Sequence, residues 1–227
     1  VMILKNLNTE LLEGVRVDEL NLCLIPDHFS FKHINFAQYD GIVIQSNNSG
    51  RTKQILFALR TSDNPQIYLK PIFTDSKKIF SRFKNDIDEL FTERNKQLIH
   101  HMAKKINERI AKISRDLSKV KNVIDKFILK GLQYAYTREN NFTPYRTRFS
   151  SIGYSYPFIN LIASSEEHLE VTKRLSLLQK KSYLKKELLD KINLCHSCMS
   201  SYLNFHETCS KCGSIDLKYE NLIHHFR

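Results

Sequence analysis

Four cysteines in the last third of the chain have the spacing of a metal site. Cys195 and Cys198 form one CxxC pair and Cys209 and Cys212 form a second, with ten residues between the pairs. Each pair can bend into a tight turn that points two thiolates at one ion, and Zn²⁺ takes four such ligands in a tetrahedron. Gly213 follows the second pair and supplies the backbone freedom that such a turn often needs. Two disulfides or reactive thiols are the alternatives, but no secretion signal accompanies the cysteines, and this favours Zn²⁺.

The four-thiolate set predicts a structural rather than a catalytic zinc. A catalytic zinc keeps three protein ligands and an open position, whereas four thiolates close the site. His224 and His225 have two interpretations, which are packing against the metal-binding segment and ligation of a second ion. Packing is favoured, because no free cysteine lies nearby to complete four ligands. Cys23, in the apolar stretch 22–25, is predicted to be a small buried side chain.

No combination of nucleophile and base is visible elsewhere in the sequence. It contains no glycine-rich phosphate loop and no HExxH or GxSxG motif. Asp86, Asp88 and Glu89 are predicted to lie on the solvated face of an amphipathic helix. His100 and His101 are neighbours on a predicted helix and point about 100° apart, so they do not converge on one ion. The sequence therefore predicts that the protein is not an enzyme, unless a catalytic domain follows residue 227.

The charge of the chain is unevenly distributed. The net charge is +11, and residues 81–140 carry fourteen basic and eight acidic side chains, whereas residues 195–227 carry three of each. Hydrophobic residues make up 41% of the 227, which suffices for a core. No run approaches the roughly 18 apolar residues of a membrane helix, and no signal peptide is recognisable. We therefore expect a cytoplasmic protein that does not bind a membrane.

The first 80 residues alternate apolar runs with turn signals. A helix is predicted over 51–60, between the turn signals Ser49-Gly50 and Asp63-Asn64-Pro65. Strands are predicted on either side of it and earlier in the chain, at 1–4, 22–25, 41–44 and 67–73. A strand, a helix and a strand within about 30 residues form a βαβ unit, which predicts a small parallel sheet.

A long helix is predicted over about 76–136, which contains no proline and one glycine. Apolar residues recur there in steps of four and three, at Ile99, Ala103, Ile106, Ile110, Ile113, Leu117, Val120, Ile124 and Phe127. This heptad pattern is typical of a coiled coil and predicts a homodimer through residues 96–131. A long helix or a helical hairpin that packs within one chain is the alternative.

The aromatic segment 140–158 is predicted to be a linker that packs its rings against neighbouring domains, in preference to a phosphate-and-stacking surface. Ser164 and Glu167 form a capping box that opens a helix, and residues 182–194 are predicted to form a short β-hairpin. The helix and the hairpin resemble the second half of a winged helix. The candidate nucleic-acid contacts cluster there and are Lys173, Arg174, Lys180, Lys181, Lys185 and Lys186.

Residues 140–227 resemble the thaumarchaeal output domain family, a metal-binding module found at the output end of signalling proteins. The resemblance rests on Tyr154-x-Tyr156-Pro157, Cys195-x-x-Cys198, Cys209-x-x-Cys212-Gly213 and Ile223-His224-His225-Phe226. In that family another cysteine and a further CxxC stretch follow the His-His-Phe, so the resemblance implies a chain truncated at Arg227. It also implies that a second metal site can involve residues beyond this end.

The first 80 residues resemble a degenerate receiver domain more loosely. Asp40-Gly41-Ile-Val-Ile44 is similar to the third strand of a receiver, and Lys70-Pro71-Ile72 to the lysine-proline after its fifth strand. Gln45 and Ser46 stand where the resemblance would put an acceptor aspartate, and Lys5 and Asn6 replace the acidic pair that holds Mg²⁺. The resemblance therefore implies a pseudo-receiver that is used for contacts and is not phosphorylated.

The sequence thus predicts four segments. A receiver-like α/β domain spans 1–78, a long helical connector spans 79–139, a linker with a winged-helix-like unit spans 140–194, and an α+β zinc ribbon spans 195–227. The predicted function is non-catalytic signal transduction through a protein partner, with Zn²⁺ as the cofactor. The alternative is a transcriptional regulator that binds nucleic acid through the basic helix–hairpin, and weak binding that does not depend on base sequence is expected at most.

Overall fold

The structure, a computed structural model, describes residues 14–17, 19–27, 36–113, 117–140, 142–146, 153–164, 167–188 and 208–215. Strands β1 to β5 form one sheet in sequence order. Their bounds are β1 (Gly14–Val17), β2 (Leu20–Pro26), β3 (Gly41–Gln45), β4 (Ile72–Thr74) and β5 (Glu89–Leu90). β1 pairs with β2 in antiparallel fashion, and β2 to β5 are parallel. The predicted strand at 1–4 lies outside the described residues.

Helices cover both faces of this sheet. They are α1 (Ser49–Thr61), α2 (Pro65–Tyr68), α3 (Lys77–Arg82) and α4 (Lys96–Ile110). Because side chains alternate along a strand, Ile42 and Ile44 of β3 pack with Ile55 of α1, whereas Val43 packs with Ile99 of α4. The result is a helix–sheet–helix sandwich that contains the predicted βαβ unit. The predicted strand over 67–73 is shorter than expected, because Pro65 opens α2 and only 72–74 is strand.

The predicted long helix is interrupted. α3, β5, α4 and α5 (Val123–Thr137) share the stretch between 77 and 137. The heptad seam is buried inside this chain, since Ile99 and Ala103 pack on the sheet and Ile106 lies in the main core. The expectation of an intermolecular coiled coil over 96–131 is therefore wrong. An apolar stripe with heptad spacing can pack on the face of a sheet or on a partner helix, and here it packs on the sheet.

The receiver-like expectation does not fit the described sheet. A receiver belongs to the doubly wound folds, whose strand order of 2-1-3-4-5 reverses once, whereas β1 to β5 follow sequence order with an antiparallel edge. The lysine that carried the resemblance is also misplaced. Lys70 precedes β4 instead of following a strand, and its buried ammonium donates to the carbonyl of Tyr39. The mixed α/β character is confirmed, and the receiver-like detail is not.

The remaining described elements are β6 (Tyr145–Arg146), β7 (Tyr154–Ser155), α6 (Ile159–Ile162) and α7 (Glu167–Lys180). β6 and β7 pair in antiparallel fashion. The capping box that opens α7 is confirmed, because the N–H of Ser164 donates to Oε2 of Glu167 at 2.6 Å and Oγ of Ser164 accepts from the N–H of Glu167. Residues 182–188 contain no strand, and the rest of the predicted hairpin lies outside the described residues.

Candidate functional site

A buried ion pair joins the end of α5 to the sheet. Arg138 donates from Nε to Oδ1 of Asp88 at 2.8 Å and from Nη2 to Oδ2 at 2.9 Å. The two side chains are only 5% and 3% exposed. Oδ2 of Asp88 also accepts the N–H of Ile72, and Nη1 of Arg138 donates to the carbonyl of Leu69. Burial alone would lower the pKa of Arg138, but Asp88 and Tyr134 together outweigh burial and raise it.

A second arginine is buried beside this pair. Arg60, in the last turn of α1, donates from Nη1 to the carbonyls of Tyr68 at 2.6 Å and Lys70 at 3.1 Å. Its guanidinium lies 5.1 Å from the ring centroid of Tyr134, and that of Arg138 lies 4.1 Å from the same ring. Burial lowers the pKa of Arg60 and raises that of Tyr134 to about 12. Tyr134 of α5 therefore contacts two buried cations through cation–π interactions.

Lys130 of α5 caps the C-terminal end of α1. Its ammonium donates to the carbonyls of Arg60, Thr61 and Ser62, at 3.4, 3.0 and 2.6 Å. Carbonyls at this end of a helix lack partners within the helix, and a cation there suits the helix dipole. The carboxylate of Asp63 lies 3.3 Å from the same ammonium. α5 thus completes a helix that lies some 70 residues earlier in the chain.

The ring of Phe158 lies between α2 and α5. Its ring centroid lies 6.1 Å from that of Tyr68 and 5.3 Å from that of Tyr134. The backbone φ of Phe158 is +67°, a conformation that costs a non-glycine residue about 1–3 kcal/mol. Its N–H faces Oδ1 of Asp86 at 3.4 Å, and burial raises the pKa of Asp86 to about 6.

We call these side chains the junction. Its members are Arg60, Asp86, Asp88, Lys130, Tyr134, Arg138 and Phe158. They are buried, and their cations are directed at backbone carbonyls, carboxylates and rings of the same chain. The junction therefore positions α5 and α6 on the sheet.

An open cleft of about 770 Å³ lies beside the junction. Its walls come from α4, the loop 84–88, the C-terminal end of α5 and the segment 142–145. Lys105 and Arg109 on the α4 wall both pair with the carboxylate of Glu139. Its volume lies within the range of small-molecule sites.

The second cysteine pair lies in a tight, hydrogen-bonded turn. The N–H of Cys209 donates to the carbonyl of Ser214, and that of Gly213 donates back to the carbonyl of Cys209, both at 2.8 Å. Gly213 has a φ of +70°, which glycine adopts without strain. The amides of Cys212 and Lys211 donate to the thiol of Cys209 and lower its pKa.

The other predicted ligands are not described. Cys195, Cys198, His224 and His225 lie outside the described residues. Within the described part of the chain, no three histidine, cysteine, aspartate or glutamate side chains come together as a metal site. Cys23 is fully buried, and burial raises its thiol pKa to about 12, as expected of an inert residue.

Comparison with known families gives a match in the second half of the chain. Residues 118–227 match the model of the family described as thaumarchaeal output domain 1. This supports the resemblance seen in the cysteine spacing, and it extends the matched region, here called the output-domain region, to include α5. No curated protein and no solved structure matches the chain. An output-domain family indicates a role related to signalling.

The six candidate nucleic-acid contacts are divided between paired and free side chains. Lys173 pairs with Glu170, Arg174 with Asp125 and Lys185 with Glu187. The remaining three are Lys180, Lys181 and Lys186. They are exposed and have no carboxylate partner in the described part of the chain. The basic cluster is therefore about half neutralised by the protein itself. The described helices include none long and apolar enough to cross a membrane.

The junction was missed by the sequence reading. Asp86 and Asp88 were expected on a solvated helix face, but both side chains are buried, and Asp88 directly precedes β5. Burial of Lys130 and Arg138 has no signature in a hydropathy pattern. In the described part of the aromatic segment, Phe142 stacks on Tyr156 with 4.5 Å between ring centroids, and the ring of Phe158 packs against Tyr134 of α5.

Proposed function

We propose that the protein transduces a signal through protein–protein contacts and without catalysis. The observation that carries this proposal is the junction, in which the first helix of the output-domain region is anchored in the α/β sheet by a buried ion pair. These contacts connect the output-domain region to the sheet, and such a connection would let a change in one part affect the other. Asp86, the carboxyl group whose pKa is raised, does not line the cleft, so it has no access to substrate.

We infer that Cys195, Cys198, Cys209 and Cys212 hold one structural Zn²⁺. The support is the spacing of the two pairs together with the turn at Cys209, whose backbone amides face the thiol. The four thiolates would bind the ion, and the ion would cross-link the two turns in a segment too small for much of a hydrophobic core.

Metal content tests the zinc proposal. The purified chain should contain about one zinc per molecule, and the Cys209→Ser variant should lose it, because three ligands hold a structural zinc poorly. Cys23→Ala is the matched control and should keep its zinc, since Cys23 is buried in the sheet. Full-length protein that contains no zinc while its cysteines are reduced would contradict the proposal.

The surface proposed for a protein partner lies on α7 and the residues after it. Large apolar side chains there are exposed, namely Leu169 at 44%, Leu177 at 47%, Tyr183 at 75% and Leu188 at 52%. Several large apolar side chains exposed within one short stretch of the chain are the feature that suggests an interaction surface. The free lysines lie in the same region and provide the alternative, a nucleic-acid contact.

Two variants of the full chain distinguish the two functions. Leu177→Glu with Tyr183→Ser removes apolar surface, and Lys180→Glu with Lys181→Glu removes positive charge. If the function is a protein contact, the first variant should lose partners captured from nuclease-treated extract of the source cells, and the second should keep them. Salt-dependent DNA binding should be weak and insensitive to base sequence in the unmodified protein. Tight, sequence-selective DNA binding at physiological salt, lost only in the lysine variant, would favour the nucleic-acid regulator instead.

A further inference from the structure

We propose that the cleft between α4 and the C-terminal end of α5 binds a small organic anion that carries a planar ring. Its volume of about 770 Å³ falls within the 300–1,000 Å³ range of small-molecule sites. Binding at this cleft does not depend on the signalling role proposed above.

The charge of the cleft favours an anion. Four basic side chains line it, from Lys84, Lys105, Arg109 and Arg138, against two carboxylates, from Asp88 and Glu139. Arg138 and Asp88 neutralise each other in the buried pair described above. Two cations then share the single carboxylate of Glu139. Lys84 is exposed at the rim and has no carboxylate partner among the described residues.

Glu139 holds the position that a ligand anion would take. It follows the last turn of α5 with a φ of +53°, where glycine is favoured and other residues cost about 1–2 kcal/mol. Its carboxylate bridges Lys105 on one side and Arg109 on the other. Arg109 is additionally directed by a hydrogen bond from Nη1 to the carbonyl of Thr137. Glu139 is 58% exposed, so it can rotate into solvent and leave both cations to a ligand.

The ring of the ligand is expected to contact the apolar side chains of the cleft. The lining includes Ile87, Met102, Phe142, Tyr145 and Pro157. A planar group suits such walls, because aromatic and proline side chains present flat faces. An inorganic anion would leave these faces exposed to water, so the ring should add to the affinity.

The cleft also lies across the boundary of the output-domain region. Its α4 wall and the loop 84–88 precede residue 118, and the rest of its lining belongs to the matched region. A bound ligand would contact both parts of the molecule at once. It would therefore stabilise their contact by a free energy set by its affinity and its free concentration.

Anilinonaphthalene sulfonate, a fluorescent aromatic anion, tests this proposal on the full chain, with the uncharged N-phenylnaphthylamine as its counterpart. We expect one sulfonate bound per molecule at physiological salt, and binding of the neutral compound weaker by at least about tenfold. Arg109→Gln should weaken sulfonate binding by about tenfold or more, because one charge-assisted hydrogen bond is lost. Glu139→Gln should strengthen it, because the competing carboxylate is gone.

Two further variants keep the test independent of folding. Lys84→Gln removes charge from the rim without touching a buried pair and should weaken binding severalfold. Lys104→Gln removes an exposed charge of α4 that does not line the cleft, and it should leave binding unchanged. Equal binding of the neutral compound, or sulfonate binding that is the same in Arg109→Gln, Lys84→Gln and the unmodified protein, would overturn the proposal.

Discussion

Replacing Asp88 with asparagine should destabilise the protein by about 3–5 kcal/mol, the usual cost of removing one partner of a buried ion pair. The structure explains why the cost should be this high. Arg138 would keep its full charge with its side chain 5% exposed. It would lose the negative charge of the carboxylate and the 2.8 Å hydrogen bond from Nε to Oδ1, because an NH2 donor would stand in the place of Oδ1. An asparagine oxygen can still accept the N–H of Ile72, so the loss isolates the ion pair.

Urea unfolding followed by circular dichroism measures this loss. With a slope of about 2–3 kcal/mol per molar urea for a chain of this size, the midpoint should fall by about 1–2 M. The Arg138→Met variant should lose a similar amount, since it leaves Asp88 buried and unpaired. In the double variant both charges are absent, so its loss should be smaller than the sum of the two by about 2 kcal/mol.

An exposed ion pair provides the matched control. Lys173 and Glu170 lie 2.6 Å apart with side chains 60% and 56% exposed. Lys173→Gln should therefore change the free energy of unfolding by about 0.5 kcal/mol or less. If the two junction variants were additive, or if Asp88→Asn cost no more than this control, the buried pair would not anchor α5, and the reasoning would fail.

Three further results are expected. Burial raises the pKa of Asp86 to about 6 from its usual value near 4, so the folded state holds this proton more tightly and stability falls as pH rises from 4 to 6. Asp86→Asn should thus add about 2–3 kcal/mol to the free energy of unfolding at pH 7 and little near pH 4. Urea midpoints measured at the two pH values check this, and the absence of a gain at pH 7 would contradict it. Gly131→Ala should lower the free energy of unfolding by about 1–2 kcal/mol despite the better helix propensity of alanine, because the added Cβ would lie 2.9 Å from the Phe142 ring and 3.2 Å from Ile159. In a Phe142→Ala background, thermal unfolding should show that the same substitution lowers stability less. Ile106→Asn should lower the melting temperature equally at low and high protein concentration, since the heptad seam is buried within one chain. An effect that depends on concentration would instead support the coiled-coil dimer.

The sequence predicted elements whose signals are local. The capping box at Ser164 and Glu167 opens a helix as expected, and the turn signals around 49–50 and 63–65 bound α1. A capping box works through contacts three residues apart, so the amino-acid order alone contains it. The cysteine pairs are local signals too, and for the second pair the expected turn is found.

The junction depends on contacts that amino-acid order does not express. Lys130 and Arg60 are 70 positions apart, and Arg138 and Asp88 are 50 apart. Each of these residues is charged, and charged residues are buried only when a partner is supplied from elsewhere in the chain. The predicted partner helix for Ile106 was wrong for a related reason. An apolar stripe on a helix indicates that this face is buried, but it does not indicate what covers the face.

The capping of α1 by Lys130 has a consequence for dividing this protein into pieces. A fragment that starts at residue 118 would follow the family boundary. It would keep Lys130, Tyr134 and Phe158 but lose the carbonyls and rings that cover them. Conversely, a fragment that ends before α5 would leave the end of α1 open and Arg60 in water. The family match begins at residue 118, but the contacts that hold the fold together cross this boundary. We therefore expect neither fragment to fold without the other.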